Sequence, residues 1–183
     1  SVPSDSLQVG EKLRFDYRVV SNATDFTLIA LPDTQYYSET YPEIYLAQTQ
    51  WIVDNKDALN IVFVTHLGDI VQHNDKIHEE WLAADAAMSL LDGEVPYGVL
   101  PGNHDMQAGG QANYYQEYFP ASRYEDEVWW GGSFNQNKNN YQLFSAGGDD
   151  YLMINMQYCP TIEAVTWANE IVKEHKEKKK QSC

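Results

Sequence analysis

Three apolar stretches of this 183-residue chain each end in a short group of polar side chains, and this recurrence limits the possible folds. The stretches are FTLIALPDTQ, IVFVTHLGDIV and YGVLPGNHD, and each has the length and aliphatic content of a buried strand. Two segments with helical spacing of apolar residues separate them. Because parallel strands need a long, usually helical connection, the alternation predicts a largely parallel sheet with right-handed crossovers.

The two connecting segments are predicted to be amphipathic helices. The first is expected to run from Pro42 to Asn55, since Pro suits the first turn of a helix. Its apolar face is expected to consist of Ile44, Ala47, Trp51 and Ile52. In the second helix, Asp75 is the expected N-cap and Asp92-Gly93 the end. Its apolar stripe is expected to consist of Ile77, Trp81, Ala84, Met88 and Leu91.

The second half of the chain has a different composition. Residues 106–140 are poor in aliphatic and rich in aromatic residues, which favours either a loop that shapes a pocket mouth or a surface loop pinned by aromatics. The segment NYQLFSAGGDDYLMINMQY reads as a hairpin that turns at Gly147-Gly148-Asp149-Asp150. Thr161 is the expected cap of a last helix, and the final KEHKEKKKQSC is expected to be a basic, structureless tail. The apolar face of that helix is expected to consist of Ala164, Trp167, Ala168 and Ile171.

The charge of the chain limits its partners. With 12 basic and 27 acidic residues, its net charge is -15, and such a field repels polyanions, so nucleic-acid binding is not expected. No apolar run approaches the ~20 residues of a membrane-spanning helix. The two cysteines, Cys159 and Cys183, imply no disulfide framework.

The polar groups that follow the three apolar stretches should meet in one crevice, because the carboxyl ends of neighbouring parallel strands lie side by side. These groups are Asp33-Thr34-Gln35, Gly68-Asp69 and Gly102-Asn103-His104-Asp105. Asp and Asn also serve turns and helix caps. Three aligned termini with these side chains nevertheless favour a metal site, since carboxylate, amide and imidazole groups are all metal ligands.

In their order and spacing, the motifs LPDTQYY, HLGDIVQHND and LPGNHD resemble those of the calcineurin-like metallophosphoesterases. That family has an Asp motif after the first strand, Gly-Asp after the second, and Gly-Asn-His-Asp or Gly-Asn-His-Glu after the third. The similarity extends from about Phe26 to the helix ending near His175, and Asp-Thr-Gln in the first motif resembles a bacterial branch. The resemblance implies an α/β fold, a calcineurin-like sandwich of mixed sheets flanked by helices.

The resemblance also implies a function, the hydrolysis of a phosphate mono- or diester by a hydroxide held between two divalent metal ions. Asp33 would bind the first metal, Asp69 would bridge both metals, and Asn103 would bind the second through its amide oxygen. His104, oriented by Asp105, would stabilise the phosphoryl group and protonate the leaving oxygen.

Two departures from the family pattern affect the metals. Gln35 stands where most members have a metal-binding His, and its oxygen would favour Mn, Mg or Fe over tightly bound Zn, although the metal identity stays open. The family completes its centre with a His after the next strand and a later Gly-His-x-His motif. After His104 this sequence has only His175. We therefore expect the second metal site, and the C-terminal side of the sandwich, to be incomplete in this chain.

The remaining histidines have other expected roles. His66 lies within a buried strand and is expected to be a hydrogen-bonded core residue rather than a ligand. His73 follows the Asp69 motif and is expected either to contact substrate at the rim or to be solvated. His78 is expected to be exposed.

Three functional hypotheses follow. The first is a phosphoesterase that acts on a small-molecule phosphate ester. The second is a catalytically incomplete metal-binding module with no turnover of its own. The third, a nucleotide-binding doubly wound domain, is disfavoured because no Gly-rich phosphate loop follows the first strand.

Residues 1–24 are polar with little periodicity and are expected to form a leader or linker, followed by the N-terminal part of the phosphoesterase domain in residues 25–183. The sequon Asn22-Ala23-Thr24 and this leader favour an extracytoplasmic location. An incomplete sandwich would leave a strand edge unpaired, so the chain is expected to be able to form an oligomer through that edge.

Overall fold

The first sheet contains the three strands that the sequence predicts. The structure is a computed structural model that describes residues 25–181, with side chains up to residue 176, so the predicted leader lies outside the described residues. The strands β1 (Thr27–Leu31), β2 (Ile61–His66) and β3 (Tyr97–Gly98) are parallel and adjacent in that order. The prediction of a parallel sheet is confirmed, although β3 is short and β1 is half exposed along its length.

Three helices accompany this sheet: α1 (Gln35–Thr40), α2 (Pro42–Asn55) and α3 (His78–Met88). The bounds of α2 match the prediction, but its predicted apolar face is confirmed only at Ile52. Its buried residues are Tyr45, Thr49 and Ile52, whereas Ile44 and Trp51 are 40% and 49% exposed. The helix is rotated because Tyr45 fills the core beside the His66 ring, at a centroid distance of 6.1 Å.

The apolar stripe of α3 is largely confirmed, but its cap is not. Trp81, Ala84 and Met88 are buried, while Ile77 is exposed and occupies the N-cap position. Asp75 instead accepts hydrogen bonds from the backbone N–H groups of Asn113 and Tyr114, at 3.0 and 2.8 Å. These residues begin α4 (Asn113–Tyr118), so Asp75 caps a different helix.

The second sheet is antiparallel and consists of β4 (Trp130–Phe134), β5 (Asn139–Ala146) and β6 (Asp149–Met156). The predicted hairpin is confirmed, and its turn is Gly147-Gly148, both with positive φ (58° and 89°), as a two-residue hairpin turn requires. The region predicted as one long loop contains α4 and β4. Its aromatic residues belong to the core, where four are buried: Tyr115, Phe119, Tyr124 and Trp130.

The two sheets pack face to face as a sandwich, with the Phe63 and Phe144 rings stacked at 4.9 Å between centroids. The last helix, α5 (Ile162–Gln181), covers the other face of the second sheet, where Trp167 stacks on Phe134. Thr161 caps α5 as predicted, by accepting the Ala164 N–H. The predicted structureless tail is wrong, since α5 continues to Gln181 through Lys, Glu and Gln residues that favour helix. The expected sandwich of mixed sheets flanked by helices is confirmed.

No helix within residues 25–181 is both long enough and apolar enough to span a membrane.

A buried chain of amide hydrogen bonds joins the two sheets. Thr65 of β2 donates to Asn155 Oδ1, Asn155 Nδ2 donates to Gln142 Oε1, and Gln142 Nε2 donates to Asn140 Oδ1, over distances of 2.7 to 3.0 Å. Gly98 of β3 lies against this chain, and a Cβ there would lie 2.8 Å from Gln142 Oε1. The absence of a side chain at position 98 therefore allows β3 to approach the second sheet.

We predict that Gly98→Ala lowers the free energy of unfolding by about 3 kcal/mol, because the added methyl overpacks a hydrogen-bonded interface that cannot move without losing its bonds. Gly93→Ala is the control. Its added Cβ would meet nothing within 4 Å, and its positive φ of 71° should cost only about 1 kcal/mol. Equal losses in urea unfolding of the two variants would contradict the prediction.

Candidate metal centre

The loops that follow β1 and β2 are joined by hydrogen bonds. The Thr34 N–H donates to the Asp69 carbonyl at 3.0 Å. The hydroxyls of Thr34 and Ser38 both donate to the Ile70 carbonyl, at 3.1 and 2.6 Å. These bonds hold the first predicted motif against the second, so Asp33 and Asp69 follow neighbouring strands on joined loops.

The loops that follow β2 and β3 approach even more closely, at a pair of glycines. A Cβ on Gly68 would lie 2.7 Å from the Gly102 nitrogen, and Gly68 has a φ of +87°, so glycine is required there. Asp69 also adopts a left-handed conformation, with a φ of 50°, which is unfavourable for a residue other than glycine. Its Oδ1 accepts the His104 N–H at 2.8 Å. Such backbone strain is typical of functional sites.

Asp105 fastens the second and third loops together. Its buried carboxylate accepts three backbone N–H groups: Oδ1 from Ile70 and Val71, at 2.8 and 3.0 Å, and Oδ2 from Gly102, at 2.7 Å. Burial raises the pKa of Asp105 to about 7, and the three N–H donors oppose that rise by favouring the ionised form.

His104 has a different partner from the one expected. The family resemblance implies that Asp105 orients its ring, but the carboxylate of Asp105 accepts backbone N–H groups. His104 Nδ1 instead lies 3.0 Å from the Gln72 carbonyl. A carbonyl can only accept, so Nδ1 carries a proton and Nε2 is the nitrogen left to exchange one.

His66 lies beneath these loops as a neutral, fully hydrogen-bonded residue, which confirms its expected core role. The Gly68 N–H donates to His66 Nδ1 at 3.1 Å, so the ring proton is on Nε2, which donates to Thr34 Oγ1 at 3.0 Å. The ring is completely buried, and this burial lowers the pKa of His66 to about 3.

The predicted metal ligands fit a divalent cation by their chemistry. Asp33 is exposed and Asp69 is partly exposed, and neither forms a salt bridge within the described part of the chain. Asn103 lies between Gly102 and His104, which both contact Asp69. The Gln35 N–H donates to Asp33 Oδ1 at 3.0 Å. The side-chain oxygen of Gln35 is buried and has no hydrogen-bond partner among the described residues. Uncompensated carboxylates and an unpartnered amide oxygen are suited to a hard cation.

A cavity of about 440 Å³ opens beside Asn103. One wall is the segment 106–110 and the other is formed by Gln157, Tyr158, Cys159 and Thr161, just after β6. The Tyr158 N–H donates to the Pro101 carbonyl at 2.9 Å, which fixes this second wall to the third motif. The pKa of Tyr158 is raised, chiefly by the adjacent Cys159 and more weakly by the Asp69 charge. The cavity is close to the Asp69 loop because Asn103, in its lining, lies between two residues that contact Asp69.

The first wall of the cavity is held by two charged residues. Asp75 Oδ2 accepts from Gln107 Nε2 at 2.6 Å, and the buried Lys138 ammonium donates to the Gly110 carbonyl at 2.8 Å. The structure thus gives Asp75 a role that its position before α3 did not suggest.

One cluster of potential ligands lies outside the three sequence motifs. Glu39, His73 and Glu80 place their ligand atoms within 4.8 Å of one another. Glu80 is also the buried carboxylate that accepts the N–H groups of Gln72 and His73. The three residues come from separate elements with no motif spacing, so the sequence offered no signal for the cluster.

We predict that Asp105→Asn destabilises the protein by about 2 kcal/mol, because an amide replaces one oxygen with a donor and leaves a buried backbone N–H without an acceptor. Thermal and urea unfolding would measure the loss. The exposed Asp126→Asn is the matched control and should change stability by less than about 0.5 kcal/mol. A similar effect of both substitutions would argue against the fastening role of Asp105.

We predict that His66 makes the protein less stable in acid. With a pKa of about 3 when folded and an ordinary value near 6.5 when unfolded, His66 takes up a proton only on unfolding between these values, so stability falls as the pH falls through this window. From pH 7 to pH 5 the loss should be about 2 kcal/mol. Urea unfolding at pH 7 and pH 5 would measure the loss of stability between the two values. In the His66→Gln variant this loss should be smaller by about 2 kcal/mol than in the unmodified protein. The same pH dependence in both proteins would refute the prediction.

Comparisons with known proteins agree with this geometry. The family model described as calcineurin-like phosphoesterase matches residues 26–180. The uncharacterized protein YvnB of Bacillus subtilis (strain 168) is 42% identical over 152 residues, which make up 82% of this chain and 12% of YvnB. The chain thus spans a small part of that relative's length. By its family match, and with the three motifs gathered at one sheet edge, the chain belongs to the calcineurin-like phosphoesterases.

Proposed function

We propose that this chain hydrolyses a small-molecule phosphate mono- or diester with two divalent metal ions bound where the three loops meet. Membership of the family implies a metal-dependent hydrolase. The observation that carries the finer proposal is the placement of Asp69. Its backbone is strained, its loop is bonded to the loops on both sides, and a cavity opens beside the neighbouring Asn103.

The ligands that we propose are Asp33, Gln35, Asp69 and Asn103. Their oxygen atoms favour Mg, Mn or Fe over a metal that prefers thiolate ligands. Elemental analysis would identify the metal. Bound metal ions would supply Lewis-acid activation of water and would neutralise negative charge near the phosphate. Without such cations, the two carboxylates would repel an anionic ester.

His104 is the proposed general acid. The Gln72 carbonyl holds its Nδ1–H, so the ring is fixed and Nε2 is free to donate a proton to the leaving oxygen. Asp105 has a positioning role in this proposal, because it ties Gly102 of the third motif to the Ile70–Val71 backbone.

The cavity indicates the class of substrate. Its volume lies within the range of small-molecule sites, and its lining residues include no Asp, Glu, His, Lys or Arg, with Gln107 and Gln157 as hydrogen-bonding groups. A leaving group that is uncharged and moderately polar fits this lining better than a polyphosphate, which would call for Lys or Arg.

An extracytoplasmic location and an oligomer formed through a sheet edge are part of the proposal. Fractionation of cells that produce the protein tests the first. Sedimentation of the purified chain at several concentrations tests the second.

The test of the function is metal content by elemental analysis, paired with hydrolysis of p-nitrophenyl phosphate and bis(p-nitrophenyl) phosphate with added Mn²⁺. We expect turnover that requires the metal and falls by about 100-fold or more in Asp69→Asn, since loss of a ligand should exceed the effect of its supporting residues. Asp126→Asn is the control and should retain full activity.

The outcomes separate the proposed enzyme from a metal-binding module. Two metals per chain with turnover that Asp69→Asn abolishes supports the enzyme. Metal binding that Asp69→Asn removes, with no turnover of either ester, supports the module. Hydrolysis that is insensitive both to chelation and to Asp69→Asn overturns the proposal.

A further inference from the structure

Three side chains from three separate elements converge outside the loops that carry the proposed metal centre. Glu39 lies in α1, His73 follows the second motif, and Glu80 lies in the first turn of α3. His73 Nδ1 is 2.7 Å from Glu80 Oε1 and 3.9 Å from Glu39 Oε1. We refer to these three residues as the Glu-His-Glu cluster.

The two oxygens of Glu80 have separate partners. Oε2 accepts the backbone N–H groups of Gln72 and His73, at 2.8 and 2.9 Å, whereas Oε1 faces the His73 ring. Glu80 is 2% exposed, so its carboxylate is held in one orientation by the fold. Such support of a carboxylate by hydrogen bonds is what orients ligands in metal sites. A cation bound at Oε1 would leave both backbone bonds intact.

The charge of the Glu-His-Glu cluster is unbalanced. The Nδ1 atom of His73 can donate one proton, and Glu80 is the nearer acceptor. The Glu39 carboxylate makes no hydrogen bond among the described residues, and His73 is the sole basic group within 4.0 Å of either carboxylate in that part of the chain. Two carboxylates outnumber the one imidazole, so the cluster offers a cation mixed N and O ligands with an excess of acidic groups.

We propose that the Glu-His-Glu cluster is an additional divalent-cation site, suited to Zn²⁺, that shares no ligand with Asp33, Gln35, Asp69 and Asn103. Glu39 Oε1, His73 Nδ1 and Glu80 Oε1 are its ligands. The side chains of Glu39 and His73 are 32% and 37% exposed, so water can complete the coordination. On binding, neutral His73 presents the Nδ1 lone pair and carries its ring proton on Nε2, with no redox change. The proposal stands whether or not the chain is a phosphoesterase.

A cation at this site would stabilise the backbone segment that forms the hydrogen bond with the His104 ring. His73 is joined to Gln72, whose carbonyl accepts from His104 Nδ1 at 3.0 Å. The bound cation would therefore connect α1 and α3 to the segment that orients His104. The site is structural in character, because it lies among helices and a loop rather than in the cavity beside Asn103.

The experiment measures Zn²⁺ binding by titration calorimetry in the full chain carrying Asp33→Asn and Asp69→Asn. These two substitutions remove carboxylate ligands from the metal centre proposed where the three loops meet. We expect one Zn²⁺ per chain and a loss of affinity of at least about 10-fold on adding either Glu39→Gln or His73→Asn. The exposed Glu125→Gln, added to the same background, is the matched control and should bind Zn²⁺ unchanged. Co²⁺ in place of Zn²⁺ should give a visible absorption spectrum that His73→Asn alters.

Zn²⁺ binding that is absent in this background, or unaffected by both added substitutions, would overturn the proposal. Glu39→Gln is the deciding variant if His73→Asn disturbs folding, because the Glu39 carboxylate makes no hydrogen bond among the described residues. Circular dichroism of each variant checks the fold. The background lacks the carboxylates of Asp33 and Asp69, and the experiment measures Zn²⁺ binding rather than activity. A negative result for the Glu-His-Glu cluster therefore does not bear on the proposed phosphoesterase function.

Discussion

The buried carboxylate of Asp105 is the interaction on which the geometry of the loops depends. It receives three backbone N–H groups from the loops that follow β2 and β3, and His104 adds two further hydrogen bonds between these loops, to Asp69 and to the Gln72 carbonyl. A carboxylate in this position is costly to bury, and the three donors offset that cost. In return, the left-handed backbone of Asp69 is fixed on both sides, since His104 and Thr34 also bond to that residue.

The segment that follows the second sheet forms one wall of the cavity beside the third motif. The chain leaves β6 through Gln157, and Tyr158 bonds directly to the third motif. Packing of the two sheets, through Phe63 against Phe144 and through the amide chain of Thr65, Asn155 and Gln142, sets where that wall lies. The cavity therefore depends on the whole sandwich, although the proposed ligands all follow strands of the first sheet.

Much of this structure could be predicted because it follows from short-range rules. The three strands, the Gly147-Gly148 turn and the Thr161 cap are each specified by local composition and spacing. The buried face of α2 was missed because apolarity alone does not choose between adjacent stripes, and contact with His66 decided in favour of Tyr45.

The partners of individual polar groups could not be predicted in the same way. Asp75 precedes a helix and bonds to another one. Asp105 follows His104 but bonds to the loop after β2 and to Gly102 of its own loop. The partners of both carboxylates depend on which backbone N–H groups tertiary packing places beside them. The same limitation hid the Glu-His-Glu cluster, whose members are up to 41 positions apart, as the numbers of Glu39 and Glu80 give.

The way in which the cavity wall at 106–110 is anchored has an evolutionary consequence. Lys138 holds its Gly110 end through a backbone carbonyl, and Asp75 holds the start of α4 just beyond it through backbone N–H groups. Such anchors do not depend on the exposed side chain of Ala108. Position 108 is therefore open to mutation while the three motifs stay constant, so a lineage could diversify its substrates without rebuilding its chemistry.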